Sequence, residues 1–247
     1  VTSSYSSSCS GAPEPQWNSI TEALSSGSVD ANSSYIEFIH SNGAVFFNGG
    51  IRALNYSCPP DAYPIPYPEY FAVSGKYLLP DCWTEQQFGS RISFETATPH
   101  PLTAPLDESR YVFYNSYSFP AGTSTILTAP KFSTLGTANV DLEFYWYNNN
   151  NPAYTSNIEG VQVEYSLDGN TWTWLNFIQR HDPTLPENTG QWKKKKLQLP
   201  AAFGNKAAVY IRFIFFSQYG DNCAMDFVRL APRAACADVV NLATTNI

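Results

Sequence analysis

Apolar residues recur along this chain at a spacing of two, in short runs bounded by Gly, Pro, Asn and Asp, which is the pattern of half-buried strands. The run Val140-Asp141-Leu142-Glu143-Phe144-Tyr145-Trp146-Tyr147 alternates most cleanly. It predicts a core face of Val140, Leu142, Phe144 and Trp146, and an opposite face of Asp141, Glu143, Tyr145 and Tyr147. Val161-Gln162-Val163-Glu164-Tyr165-Ser166-Leu167 alternates again, reaches Asp168-Gly169 and resumes as Thr171-Trp172-Thr173-Trp174-Leu175, predicting a hairpin. Further strands are predicted at Ile92-Ser93-Phe94-Glu95, Thr125-Ile126-Leu127, residues 194–199, residues 209–216 and residues 224–230.

Nearer the start, Tyr35-Ile36-Glu37-Phe38-Ile39 and Ala44-Val45-Phe46-Phe47 flank Ser41-Asn42-Gly43 and predict a hairpin closed by Asn48-Gly49-Gly50. Prolines 59, 60, 64, 66, 68 and 80 deny a central strand there and predict an irregular excursion. No segment carries a long helical period, so the fold class is all-β, an antiparallel sandwich. The expected division is a Ser/Pro-rich lead-in and β-rich segment over 1–91, the sandwich over 92–231, and a tail over 232–247 that is a linker or an arm reaching a neighbour.

Composition narrows the function. The 247 residues are 43% hydrophobic and 15% aromatic, enough for a substantial core. A formal charge of −7 argues against nucleic acid and against anionic membrane. No apolar run is long enough to span a bilayer. The first residues lack the layout of a signal peptide, so the chain is expected to start at a processed end.

Five cysteines without paired metal-type spacing predict disulfides in an oxidising compartment, and the odd number leaves one over. Cys58 with Cys82, and Cys223 or Cys9 with Cys236, are the expected pairs. Asn32 and Asn55 begin N-glycosylation sequons.

Taken in order, Phe94-Glu95, Leu127-Thr128-Ala129-Pro130, Leu142-Glu143-Phe144-Tyr145-Trp146, Val163-Glu164-Tyr165-Ser166-Leu167-Asp168-Gly169, Trp192 and Ala224-Met225-Asp226-Phe227-Val228 resemble the MAM-like jelly rolls. That superfamily includes MAM domains, reelin subrepeats and the cleaved-adhesin domains of bacterial surface proteins. The resemblance covers about residues 92 to 231 and implies two antiparallel sheets, an extracellular location, adhesive or carbohydrate-related roles and a structural calcium near the sheet edge. Met225-Asp226-Phe227 stands where the family has Ile-Asp-Asp or Ile-Asp-Asn, so one acidic or amide ligand is missing. Trp17 and the segment from Phe46 to Arg52 look like the start of a similar domain. The first third is therefore either a degenerate sister module or the opening of a single roll.

Asp226 is the most informative residue. Strict alternation puts it with Ala224, Val228 and Leu230, where a carboxylate needs a partner. It is read either as an aspartate bonded to backbone amides or, through the resemblance, as a calcium ligand together with Glu95. Asp221-Asn222 reads as a turn. Tyr145 and Tyr147, with Tyr210 and Phe216 on the corresponding parity of a later strand, are the candidate interaction face, unless loops from residues 58–91 cover it. Tyr145, Tyr147, Trp172 and Trp174 point to sugar stacking. Lys193 to Lys196 reads as a protected strand edge.

His40, His100 and His181 have no metal-type spacing, and no nucleophile elbow or phosphate-cradling loop is present. The expected function is a non-catalytic extracellular structural or adhesive module that self-assembles into a fibre or surface layer, with copies of itself or other extracellular proteins as partners. The alternative is a carbohydrate-binding module of a secreted enzyme. A hydrolase with an unrecognised carboxylate pair ranks third.

Overall fold

The computed structural model describes residues 35–37, 50–52, 58, 61–102, 104–107 and 109–234. The chain divides into two compact units, Val1–Pro60 and Asp61–Ile247. In the first, β1 (Tyr35–Glu37) pairs antiparallel with β2 (Gly50–Arg52). A hairpin was expected with Ala44 to Phe47 as the second strand; that run lies outside the described residues, and the observed partner begins at the glycine expected to close it. The sequons at Asn32 and Asn55 also lie outside the described residues.

The second unit is built from β3 (Tyr63–Pro64), β4 (Tyr67–Glu69), β5 (Thr84–Phe88), β6 (Ile92–Glu95), β7 (Tyr111–Tyr114), β8 (Ser124–Thr128) and β9 (Phe132–Ser133), followed by β10 (Val140–Asn149), β11 (Gly160–Ser166), β12 (Trp172–Gln179), β13 (Gly190–Gln198), β14 (Tyr210–Phe216) and β15 (Cys223–Pro232). One sheet runs β13-β10-β15-β7-β6, with β4 also against β15; the other runs β12-β11-β14-β8-β5. Every pairing in these two sheets is antiparallel. The all-β sandwich expected from the sequence is what forms.

The expected boundary at residue 92 falls inside the roll, because β4 and β5 precede it and belong to its two sheets. The prolines limit β4 to three residues beside Val228 to Leu230, beyond the stretch of β15 that β7 occupies. That is a short edge pairing, the position proline tolerates.

The interior follows the predicted alternation. Val140, Leu142, Phe144 and Trp146 are buried against Val161, Val163, Ile211, Phe213, Phe215 and Leu127 of the facing sheet. Phe144 meets Phe213 edge-on at 5.6 Å, and Trp146 lies tilted on Phe215 at 6.2 Å. Each such side chain contributes roughly 1.5–3 kcal/mol of burial. The Asp168-Gly169 hairpin forms: Gly169 takes φ +79°, and the Asp168 carboxylate accepts from the amides of Thr171 (2.7 Å) and Asn170 (2.8 Å). Those bonds hold its carboxyl well below the usual range.

At Gly160 a Cβ would stand 2.1 Å from the Ile178 carbonyl oxygen on the paired strand. Gly160→Ala is therefore expected to loosen the β11–β12 pairing and lower the melting temperature, by roughly 1–3 kcal/mol of stability. Thermal denaturation of the variant checks this.

The outer face of the six-stranded sheet carries a second apolar cluster of Leu102, Tyr111, Phe113, Tyr147 and Ala224, with Trp192 against it. Residues 97–102 and 104 seal it, since Tyr111 donates to the Ala97 carbonyl, Tyr147 to Pro101 (3.2 Å) and Trp192 to Ala104 (3.0 Å). Around Tyr147 the cover comes from this later loop, while Tyr70, from the 58–91 segment, packs on Phe227 beside Tyr145. β13 is an edge strand, and its lysines pair with acids: Lys193 with Asp182, Lys194 with Glu143 and Lys196 with Asp141.

Candidate functional site

The outer face of the five-stranded sheet is where aromatic and hydrogen-bonding side chains share one accessible surface. Register places Trp172, Ser166 and Tyr210 in one row across β12, β11 and β14. The next row is Trp174, Glu164, Arg212, Thr128 and Thr84; the third is Phe177, Gln162, Ile214, Ile126 and Gln86. A bulge at the β11–β12 pairing, between Val163 and Glu164, keeps Trp174 and Phe177 on the same side although three positions separate them.

A charged string crosses the platform. Arg212 donates to Glu164 through Nε (2.6 Å) and Nη2 (2.5 Å), and Gln162 donates to the other carboxylate oxygen (2.5 Å). The guanidinium also lies 4.2 Å from the Trp172 ring centroid. A cation over the ring fixes the indole, and the ion pair fixes the cation, so the aromatic surface is held before anything binds. Trp174 is 58% exposed and Phe88, at the other edge of the sheet, 48%. Five strands at about 4.8 Å spacing give a platform about 19 Å across.

The four residues expected to form one interaction face do not. Tyr145 and Tyr147 lie on β10 and Tyr210 and Phe216 on β14, in different sheets. Tyr147 is sealed in the second cluster, and Tyr145 packs on Phe227. Tyr210 and Phe216 do lie on the outer face of the five-stranded sheet, with Trp172 and Trp174. Alternation gives the parity of a strand but not which sheet it joins.

Asp226 also departs from strict alternation. Cys223, Met225, Val228 and Leu230 all face the sandwich interior, so an extra residue intervenes between 225 and 228. It is accommodated by a register shift against β10 and by Phe227 at φ +48°. Asp226 is thereby left beside the second cluster, 1% exposed. One carboxylate oxygen accepts from the Phe227 amide (2.7 Å); the other has no partner among the described residues. Burial pushes this carboxyl up to about 7.

Glu95, the other expected calcium ligand, is on β6, two strands from Asp226, with Tyr111 of β7 between them. Two strand spacings amount to about 10 Å. Glu95 is engaged by Lys76 (2.7 Å) and by the Ser93 hydroxyl (2.8 Å). No group of three or more His, Cys, Asp or Glu among the described residues is placed to hold a metal.

Cys58 and Cys82 are disulfide-bonded, as expected. Cys223 is not paired: it is a free thiol at the start of β15, facing the buried interior, where burial raises its pKa. Cys9 and Cys236 lie outside the described residues.

A polar centre that the sequence did not single out lies under three loops at one end of the sandwich. Glu159 and Arg180 form a fully buried ion pair (3.0 Å). Arg180 also donates to the Asn149 side chain and to the Tyr154 carbonyl (2.8 Å). Glu159 accepts from Ser116 and from the amides of Gln218, Gly220 (2.7 Å) and Asp221 (2.8 Å). Asp221, expected in a solvated turn, is buried and bonded to Asn151 and His100.

No family model matches this chain, and no curated protein matches it. Among solved structures, the K1 cleaved adhesin domain of Lys-gingipain from Porphyromonas gingivalis W83 aligns over 68% of this chain and 98% of its own, at 19% identity and a TM-score of 0.50. The chain shares the jelly-roll fold of that domain. The K2 cleaved adhesin domain of Lys-gingipain aligns over 68% and 99%, at 14% identity and a TM-score of 0.49. The CBM22-1 xylan-binding domain of Paenibacillus barcinonensis Xyn10C aligns over 71% and 99%, at 12% identity and a TM-score of 0.40. In this roll, no helix among the described residues is long and apolar enough to cross a membrane.

Proposed function

We propose that this chain is a non-catalytic extracellular adhesive module that binds an oligosaccharide across the outer face of its five-stranded sheet. The observation that carries the reading is the pair Trp172 and Trp174, neighbours along β12, beside the Gln162–Glu164–Arg212 string. Sugar rings present apolar C–H faces that stack on indole, and hydroxyls that exchange hydrogen bonds with carboxylate, guanidinium and amide groups. Both kinds of group stand side by side on one rigid sheet. The width of the platform suits several linked sugars better than one.

Titration of the whole chain against a panel of oligosaccharides tests this. At least one neutral oligosaccharide is expected to bind, with Trp174→Ala weakening it at least ~10-fold and Glu164→Gln by a similar factor. Tyr117→Ala, on the loop end, should leave binding unchanged. Silence across the panel, or equal binding by Trp174→Ala, overturns the reading.

A second reading is supported by Ile126, Ile214 and Phe177 in the third row: the same face packs against another protein, including a copy of this chain, in a fibre or layer. Sedimentation at rising concentration separates the two. Concentration-dependent growth abolished by Trp174→Ala favours assembly; a monomer that binds glycan favours the first reading.

A further inference from the structure

A second recess lies in the other layer, on the outer side of β6 and β7, and shares no residue with the sheet face above. It is an open cavity of about 630 Å³, within the range of about 300–1,000 Å³ usual for small-ligand sites. Phe113, with Ala97 and Pro99, gives it an apolar floor, and Asn115 and Ser118 a polar rim.

Its charges are unusual for a chain of net −7. Two cations, Lys76 and Arg91, line it with a single carboxylate, Glu95. Lys76 is already matched to Glu95 at 2.7 Å. Arg91 has no carboxylate partner among the described residues; its guanidinium instead lies 4.0 Å from the centroid of the Tyr77 ring. An arginine placed over an aromatic ring still has N–H groups to donate, and its planar fork matches a carboxylate with two parallel hydrogen bonds.

The walls are fixed before any ligand arrives. The Phe94 amide donates to the Lys76 carbonyl (2.6 Å), which ties the loop carrying Lys76 and Tyr77 to the edge of β6. Arg110 bridges the same two elements, donating to the carbonyls of Val73 (3.0 Å) and Phe94 (2.9 Å).

We propose that this recess binds the carboxylate of an acidic sugar, with Arg91 as the anion-recognising residue and Lys76 and Tyr77 positioning it. One unmatched positive charge selects a monoanion. Glu95 opposes a dianion such as phosphate. The apolar floor and the Asn115 and Ser118 rim suit a hydroxylated ring attached to the carboxylate.

The test titrates the whole chain, followed by NMR, with glucuronate and a galacturonate dimer, the matched neutral sugars, N-acetylglutamate and inorganic phosphate. Uronates are expected to perturb Arg91 and Tyr77 and to saturate. Arg91→Ala should weaken them at least ~10-fold, and Arg91→Lys, which keeps the charge but loses the fork, by an intermediate factor. Raising the salt should weaken binding in the wild type. Trp174→Ala should not change uronate binding, so this site can fail while the sheet-face reading stands, and the reverse. The proposal is overturned by equal response to neutral sugars, by full uronate binding in Arg91→Ala, or by loss of uronate binding in Trp174→Ala. Equal binding of N-acetylglutamate overturns it in favour of a peptide carboxylate, and preference for phosphate in favour of a general anion site.

Discussion

Replacing Arg180 with leucine is expected to destabilise the roll by about 3–5 kcal/mol, the cost of leaving a buried carboxylate without its counter-charge. In a domain of this size the melting temperature should fall by roughly 8–15 °C. Both partners of the Glu159–Arg180 pair are fully buried, and each holds other groups. Glu159 collects the amides of Gln218, Gly220 and Asp221 and the Ser116 hydroxyl, while Arg180 holds the Tyr154 carbonyl and the Asn149 side chain. Three separate loops are thus fastened to one carboxylate.

The damage should therefore concentrate at the loop end. Hydrogen exchange at the Gly220 and Asp221 amides should accelerate before exchange in β10 or β14 does. Arg180→Lys should rescue little, since one ammonium cannot reproduce the three directions the guanidinium serves. The pair double variant Glu159→Gln, Arg180→Leu should be less destabilised than the sum of the single variants. Urea denaturation provides the numbers; a loss below about 1 kcal/mol for Arg180→Leu would show that the loops stand without the pair.

Asp226→Asn is expected to act in the opposite direction, and only above acid pH. The carboxyl is pushed from 3.8 to about 7 in the fold, by burial first, with Asp107 adding to it against the Phe227 amide. The folded state thus holds its proton more tightly than the unfolded chain. The stability tied to that proton is full below about pH 4 and is lost as pH rises through about 7, to a total of up to about 4 kcal/mol. Asparagine cannot ionise and removes this loss, although its amide N–H group, placed where the carboxylate oxygen has no partner, costs about 1–3 kcal/mol at every pH. Near pH 4 the variant should be equal to or less stable than the wild type; at pH 8 it should be more stable. Chemical denaturation of both proteins across this range checks the crossing, and parallel curves would show that Asp226 is ionised throughout without cost.

Much of the roll was legible because alternation is a local property. Val140 to Trp146 identified a core strand and its inward face, and Asp168-Gly169 identified a hairpin, since both depend on neighbouring residues. What was not legible depended on distant partners. The short β4 and β5, and β7 with its four buried residues in a row, lack alternation, and only the sheets they join give them a role. A single inserted residue near Phe227 separated Asp226 from Val228 and Leu230 while leaving it with Ala224, and no periodicity reports such a bulge in advance.

The candidate site divided along the same line. Tyr210 and Phe216 were visible as aromatics of the non-core parity and Trp172 and Trp174 as aromatics of the hairpin, but separating Tyr145 and Tyr147 from them required knowing that β10 and β14 belong to opposite sheets. Glu164 and Gln162 shared a face with each other in the sequence pattern, yet their meeting with Arg212 follows from the pairing of β11 with β14. Glu159 and Arg180, from separate segments, carried no local signal at all.

The measurement that bears most directly on the proposed function is a chemical-shift map of the chain with a bound neutral oligosaccharide. The indole N–H signals of Trp172 and Trp174, the Gln162 side-chain amide and the Arg212 Nε–H should move together and saturate along one curve. Shifts confined to the loop end around Tyr117 and Tyr219, or to the cleft at Arg91, with the signals of Trp174 and Gln162 unmoved, would contradict it.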